Sequence, residues 1–446
     1  MSKNGFTYDS GTLQSLTKDA LDYARSRGAS ASEVEVSEGF GQTVTVRQGE
    51  VETIEYNRDK GMSVSVYIGQ QRGHSSTSDF SQKALHDAVD AALSIAHFTA
   101  ADDCAGLADP ELLAREFPDL QLWHSWALPV ERAIELATAC EQAGYATDKR
   151  ISNSEGASVS TQESNFIYGN SNGFLAGYPS ARHSIGCSLI AGEEDGMQRD
   201  DWYEVARSAA DLATPESVGQ RAAQRAVSRL DARKIKTLQA SVLFEAPVAA
   251  SLIGHFVSAV SGGSLYRKSS FLLDSLGTQV FAPHVQLSDL PHIAKGLGSG
   301  NFDAEGVATR ARDVIKDGTV QGYFLGSYSA RKLGMSTTGN AGGSHNLILH
   351  DTGDDFAALL KKMQRGLLVT ELMGQGVNHV NGDYSRGAAG FWIEDGALAY
   401  PVHEITIAGN LKDMYLGMSA IGTDVLRRSS YQCGSILIDK MTIAGS

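Results

Sequence analysis

Glu371, Asp383, Tyr384 and Arg386 bring two carboxylates, a phenol and a guanidinium into a stretch that also carries Gly374, Gly376, Gly382 and Gly387. Two apolar strand-like runs, Leu367–Leu372 and Phe391–Ile393, enclose it, so residues 373–390 read as one long glycine-rich loop hemmed in by strands. Loops of that kind on a rigid scaffold are where binding and catalysis concentrate. Two chemistries fit. Asp383 and Arg386 can pair as an internal tie. Alternatively, backbone N–H groups, Arg386 and Asp383 can bind the main chain or termini of a peptide, which glycine lets approach closely.

Other constellations fail on spacing. A zinc peptidase needs two histidines about one helical turn apart and a glutamate to activate water. The twelve histidines stand singly, and His403-Glu404 runs on into the strand-like alternation Ile405-Thr406-Ile407-Ala408. Gly169-Asn170-Ser171-Asn172-Gly173 matches the nucleophile elbow in letters, but both flanks read as strands and NSNG is hairpin-turn chemistry; His183 nearby does not rescue it. Gly296–Gly300 lacks the Lys-Ser/Thr pair of a phosphate cradle and reads as a flexible surface loop. Cys433, between RRSSYQ and the strand-like Ser435–Ile438, has no adjacent histidine; a small buried residue is the expectation over a thiolate facing a cavity.

The elements that must position these residues fall into three segments. Residues 1–98 read as a small α+β domain. Leu13, Leu16, Ala20, Leu21 and Ala24 share a helical face, period-two runs follow from Glu33 to Ile68, and Ser81 caps a second helix. Residues 99–129 lose all periodicity and read as a linker. Residues 130–235 read as a middle α+β domain with NSNG and EEDG turns, closed by a helix with Thr214 as cap and Pro215 in its first turn. Residues 236–446 read as mainly β, with Asp317-Gly318 and Asp395-Gly396 as type I′ hairpin turns and two interrupting helices, one after Pro247 and one carrying Phe356 to Met363. The fold class expected is α+β, without the βαβ alternation of a doubly wound sheet.

Bulk properties narrow the partners. A chain of 446 residues holds two or three domains, and no apolar run approaches the length needed to span a bilayer. The opening MSKNGFTYDSG lacks the apolar core of a signal peptide, so a cytoplasmic location is expected, with the four scattered cysteines reduced. A net charge of −14, with no dense Lys/Arg stripe, argues against direct contact with nucleic acid.

The string ELMGQGVNHVNGDYSRGAAGFWIEDGALAYPVHEITIAGNLKDM resembles the PmbA/TldE family. So do GGSLYRKSSFLLDSLG at 262–277, which contains Arg267, GYFLGSYSARKLGM at 322–335 and AGGSHN at 341–346. The likeness extends to VRQGEVETIEYN, DKRISNSEGAS and the final QCGSILIDKMTIAGS, and so covers nearly the whole chain.

This resemblance implies a cytoplasmic bacterial protein of the TldD/PmbA peptidase class, in which TldD and TldE form a heterodimer known for microcin maturation and antitoxin degradation, with an older gyrase-modulator label. The TldD branch carries zinc on a helical HExxxH motif, completed by a cysteine near the C-terminus. The similar helix here, SLIGHFVSAVSGG, keeps only His255, and Cys433 resembles the cysteine position. The implied role is the non-metal subunit: no cofactor held by this chain, zinc in a TldD-like partner, and a substrate path shaped by Glu371, Asp383, Tyr384, Arg386, Arg267 and Cys433. Two alternatives stay open: a stand-alone hydrolase using Cys433 or Ser171, and a homodimeric gyrase-modulating binding protein.

Overall fold

Period-two alternation from residue 31 onward builds one long antiparallel sheet: β1 (Ala31–Arg47), β2 (Glu50–Ile68), β3 (Gln71–Thr77), β4 (Ile151–Asn170), β5 (Leu175–Ala176), β6 (Pro179–Ala191) and β7 (Gln198–Ala206). The computed structural model describes residues 5–445; the reading of the opening residues as leader-free falls partly on residues 1–4, outside that range. Strand order is β3-β2-β1-β4-β6-β7, with β5 on β4. β1 and β4 pair antiparallel from Glu33↔Asn170 to Val46↔Ala157, so the sheet runs without a break from the first segment into the middle one.

Each half of that sheet has its own helical cover. α1 (Ser10–Ser26) and α2 (Gln82–Phe98) pack Leu13, Ala20, Leu85 and Val89 onto Val34, Val36, Val64 and Val66. α3 (Val130–Thr147) and α4 (Pro215–Ser228) pack Ala133, Ala137, Val218 and Ala222 onto Val44, Val46, Val159 and Leu189. The caps match the sequence signals: Ser81 accepts from Ala84 N–H at 3.4 Å, and Thr214 from Ser217 N–H at 3.3 Å, with Pro215 at the first helical position.

The C-terminal segment is built on a mixed sheet of β8 (Leu238–Phe244), β13 (Gly366–Met373), β14 (Asp383–Glu394), β15 (Ala397–Asn410), β16 (Met418–Ile421) and β18 (Ile436–Ala444). The order is β15-β14-β13-β8-β18-β16, and β15 also pairs with β18, closing the circuit. A second sheet holds β9 (Leu287–Asp289), β10 (Arg312–Lys316), β11 (Thr319–Val320), β12 (Leu347–Leu349) and β17 (Tyr431–Gln432). Both predicted type I′ turns form: Asp317 and Gly318 have φ of 49° and 73°, Asp395 and Gly396 of 52° and 71°.

The two predicted helices are α5 (Ala246–Ala259) and α8 (Phe356–Met363), and the structure adds α6 (Gly262–Tyr266), α7 (Ser327–Leu333) and α9 (Leu411–Leu416). These are one or two turns long, too short for a helical period to show in the sequence. Strand β13 is buried on both faces: Leu367 and Val369 join the core under α5, and Leu368 the core under α8.

Two segments are more tightly built than their composition indicates. In residues 99–129, Ala108, Leu113 and Ala114 pack with Phe174, Phe302 and Val307, and Arg331 donates to the carbonyls of Cys104, Gly106 and Leu107 at 3.3, 3.2 and 2.6 Å. Gly296–Gly300 is not the surface loop its glycines imply. Asn346, fully buried, accepts from Gly298 N–H at 2.9 Å and donates to Leu290 O at 2.7 Å and Ser299 Oγ at 2.8 Å. A buried amide with its partners met fixes that backbone from a distant part of the chain, which local composition cannot reveal.

Candidate functional site

The loop expected over 373–390 is shorter. Strand β14 begins at Asp383, and only residues 374–382 connect it to β13. The small residues Gly387, Ala388, Ala389 and Gly390 hid the strand, because they blur the large-small alternation that marks one. Strand geometry then separates the cluster. Tyr384 and Arg386 share one face of β14, while Asp383 lies on the other, so the Asp383–Arg386 tie does not form. Asp383 instead accepts from Asn381 Nδ2 at 2.6 Å and Asn410 Nδ2 at 3.2 Å, bracing the loop end.

Tyr384 is 1% exposed and faces inward beneath α5. His255, half-buried on α5, has its ring centroid 6.0 Å from that of Tyr384 and 5.5 Å from that of His379 on the 374–382 loop. Burial lowers the His255 pKa to about 4, reinforced by His379 and Arg386, so this imidazole is neutral at pH 7. Burial pushes Tyr384 up to about 12, with Arg386 opposing. Among the described residues His255 Nε2, His379 Nε2, Tyr384 Oη and Arg386 Nε are buried without a well-formed hydrogen bond, although Arg386 lies close enough to Tyr384 to influence its hydroxyl. His379 was not singled out in the sequence, where it stands inside GQGVNHVNG with no spacing signal to His255; only the fold joins them.

The remaining expected site residues lie apart. Glu371 pairs with Arg229, which also reaches Asp200 at 3.4 Å. Arg225 bridges Asp200 and Glu245 at 2.9 Å each, so Glu371 belongs to an ion network tying α4 to the C-terminal sheet. Arg267 is exposed after α6 and donates to Tyr266 Oη at 3.1 Å. Cys433 is buried, and burial holds its thiol protonated with a pKa of about 12. Ser171 sits in the β4–β5 hairpin, where its Oγ accepts from Ser32 N–H at 3.0 Å. Neither Cys433 nor Ser171 has the exposed, base-assisted setting of a nucleophile.

A cleft of 640 Å³ opens where the first sheet meets the C-terminal segment, lined by Glu33, Glu35, Arg72, Asp102, Glu305 and Tyr328 among others. Glu33 accepts from Tyr168 Oη at 2.9 Å and Tyr67 Oη at 3.3 Å, and burial raises the Glu35 pKa. Tyr328 meets Tyr266 edge-on at 5.8 Å, so the cleft mouth adjoins the α6 end that carries Arg267. Alternation along VEVSEGF put Val34 and Val36 in the core and thus Glu33 and Glu35 outside it; the sequence held that signal, but not what faces them.

Among the described residues no group of three His, Cys, Asp or Glu is placed to hold a metal ion. Two imidazoles beside a guanidinium are a poor donor set for zinc, which takes three or four neutral or anionic ligands and is repelled by a fixed cation.

Sequence profiles of the PmbA/TldA metallopeptidase match in three parts: domain 1 over residues 32–96, the central domain over 123–230 and the C-terminal domain over 237–445. The metalloprotease PmbA of Escherichia coli O157:H7 is 49% identical over 433 residues, spanning 97% of this chain and 96% of that one. The crystal structure of a candidate modulator of DNA gyrase from Bacteroides thetaiotaomicron superposes with a TM-score of 0.93 at 28% identity, covering 98% of this chain and 100% of that chain. TldE from Thermococcus kodakarensis, at a TM-score of 0.82 and 17% identity over 96% of this chain and 100% of that chain, shares the fold.

Proposed function

Because the chain belongs to the PmbA/TldA metallopeptidase family, we propose that it is the non-metal subunit of a peptide-processing pair, with a TldD-like partner supplying the zinc. The observation that carries the reading is the composition of the side-chain cluster under α5. Where a metallopeptidase helix would present two histidines and a glutamate, this helix presents His255 alone, and the groups around it are His379, Tyr384 and Arg386. Such a cluster offers donors that can orient an unfolded peptide, but not the two histidines and glutamate through which a zinc peptidase polarises a carbonyl and activates water.

In this reading the 640 Å³ cleft and the α6 end form part of the route along which peptide travels. Zinc on the partner supplies the hydrolytic water when bound; this chain binds and positions substrate. A cytoplasmic location belongs to the same proposal and accords with four cysteines that form no disulfide. The test is co-expression with a TldD-like chain. The pair should co-purify and cleave an unfolded peptide in a chelator-sensitive way, and neither chain alone should do so. Hydrolysis by the metal-loaded chain without a partner, or stoichiometric zinc on it by elemental analysis, would sink the reading.

A further inference from the structure

Four buried polar atoms without a well-formed hydrogen bond belong to one cluster beneath α5: His255 Nε2, His379 Nε2, Tyr384 Oη and Arg386 Nε. Each can donate, and the phenol and neutral imidazoles can also accept, with Arg386 lying against Tyr384; among the described residues the cluster holds no anion to meet the guanidinium. Among the described residues Arg386 has no carboxylate partner, unlike Arg225 and Arg229 nearby in the ion network. A buried donor left unmatched costs stability, and this cluster gathers four such atoms around one guanidinium. Asp383, the nearest acid in sequence, is turned to the opposite face and engaged with Asn381 and Asn410.

A charged acceptor with several lone pairs is what the group lacks. A water molecule offers two lone pairs and no charge; a carboxylate offers about four acceptor sites and a full negative charge to set beside Arg386. We infer that His255, His379, Tyr384 and Arg386 form a receptor for a substrate carboxylate, either the C-terminus of a peptide or an acidic side chain. This rests on the reading above that peptides reach this chain. The four atoms are closed off from solvent, whereas Gly374, Gln375, Gly376 and Val380 on the loop bearing His379 are exposed, so that loop is the side from which a ligand reaches them. A neutral His255 then supplies its Nε2 proton to the carboxylate without the repulsion a second cation would meet from Arg386.

The test uses the full chain alone, labelled at its histidines, with the imidazole resonances followed by NMR. Three acetylated tetra-alanine-type peptides are titrated: one ending in a free acid, its C-terminal amide, and an amide containing one internal Asp. The free acid is expected to move the His255 and His379 resonances saturably while the plain amide does not. A response to the Asp peptide assigns the side chain as a further source of the same group. Arg386→Gln should weaken binding about tenfold or more, the factor one charge-assisted hydrogen bond supplies. Tyr384→Phe, which keeps the buried ring, gives the same comparison should Arg386→Gln fail to fold. Equal behaviour of acid and amide, or no movement with any peptide at millimolar concentration, overturns the inference. Partner-dependent cleavage persisting in that case leaves the subunit reading intact; carboxylate binding without partner-dependent cleavage overturns the subunit reading alone.

Discussion

Arg225 is the single side chain whose removal should most damage the junction between the middle and C-terminal segments. It donates to Asp200 at 2.9 Å and to both oxygens of Glu245 at 2.9 Å, with side-chain exposures of 15%, 9% and 17% for the three residues. In Arg225→Leu, Asp200 keeps Arg229 at 3.4 Å, but Glu245 loses its ion-pair partner. Glu245 precedes α5, the helix that carries His255, so the orphaned charge sits at the root of the candidate site. Breaking a buried pair by deleting one partner costs about 3–5 kcal/mol, mostly the penalty of the charge left behind, and the slight exposure places this case near 3.

The sign with pH follows from Glu245, whose pKa burial already raises from the ordinary 4.5 and which Arg225 holds down. A raised acid stabilises the fold below its unfolded pKa and loses that contribution as pH rises through the folded value. Removing Arg225 raises it further, so the deficit of the variant is full at neutral pH and shrinks as the solution is acidified through the new, higher pKa. Urea unfolding followed by the fluorescence of Trp202, which Arg225 overlies at 5.5 Å, and by far-UV circular dichroism measures the loss. Arg225→Leu with Glu245→Gln should recover about 2 kcal/mol of it. A single-variant loss below about 0.5 kcal/mol, or a double variant no better than the single, would refute the argument.

Gly376→Ala should dislodge the loop that holds His379, because a Cβ there would lie 1.8 Å from Ser385 O; faster amide exchange across residues 374–386 at unchanged global stability is the expected readout. Cys433 should resist a water-soluble thiol reagent at pH 8 in the folded chain and react once denatured, since it is 2% exposed with a thiol pKa of about 12. Asp303, raised by burial to about 6 although it accepts from the N–H groups of Glu305, Val307 and Ala341, should titrate near that value by carboxyl NMR. Its contribution to stability, full below the ordinary Asp value, is lost as pH rises through about 6.

Local signals carried much of the architecture. Helical caps at Ser81 and Thr214, the two Asp-Gly hairpins and the hairpin at Asn170–Gly173 depend on residues within a few positions of one another, where backbone preference alone decides. The same locality made the glycine-rich stretch after Glu371 misleading: its small residues read as loop from Met373 to Gly390, whereas pairing with β13 and β15 makes the part from Asp383 onward strand.

From the sequence by itself came the family resemblance, the α+β class, the missing second histidine on the helix of His255, and the chemical vocabulary of Glu371, Asp383, Tyr384 and Arg386. Tertiary structure decided which of these face one another. β14 turns Tyr384 and Arg386 inward and Asp383 outward because strand side chains alternate. The 374–382 loop brings His379 to His255, and α4 claims Glu371 for an ion network. Such meetings depend on contacts between residues far apart in the chain, whose placement is set by the packing of whole elements, and no short-range pattern encodes them.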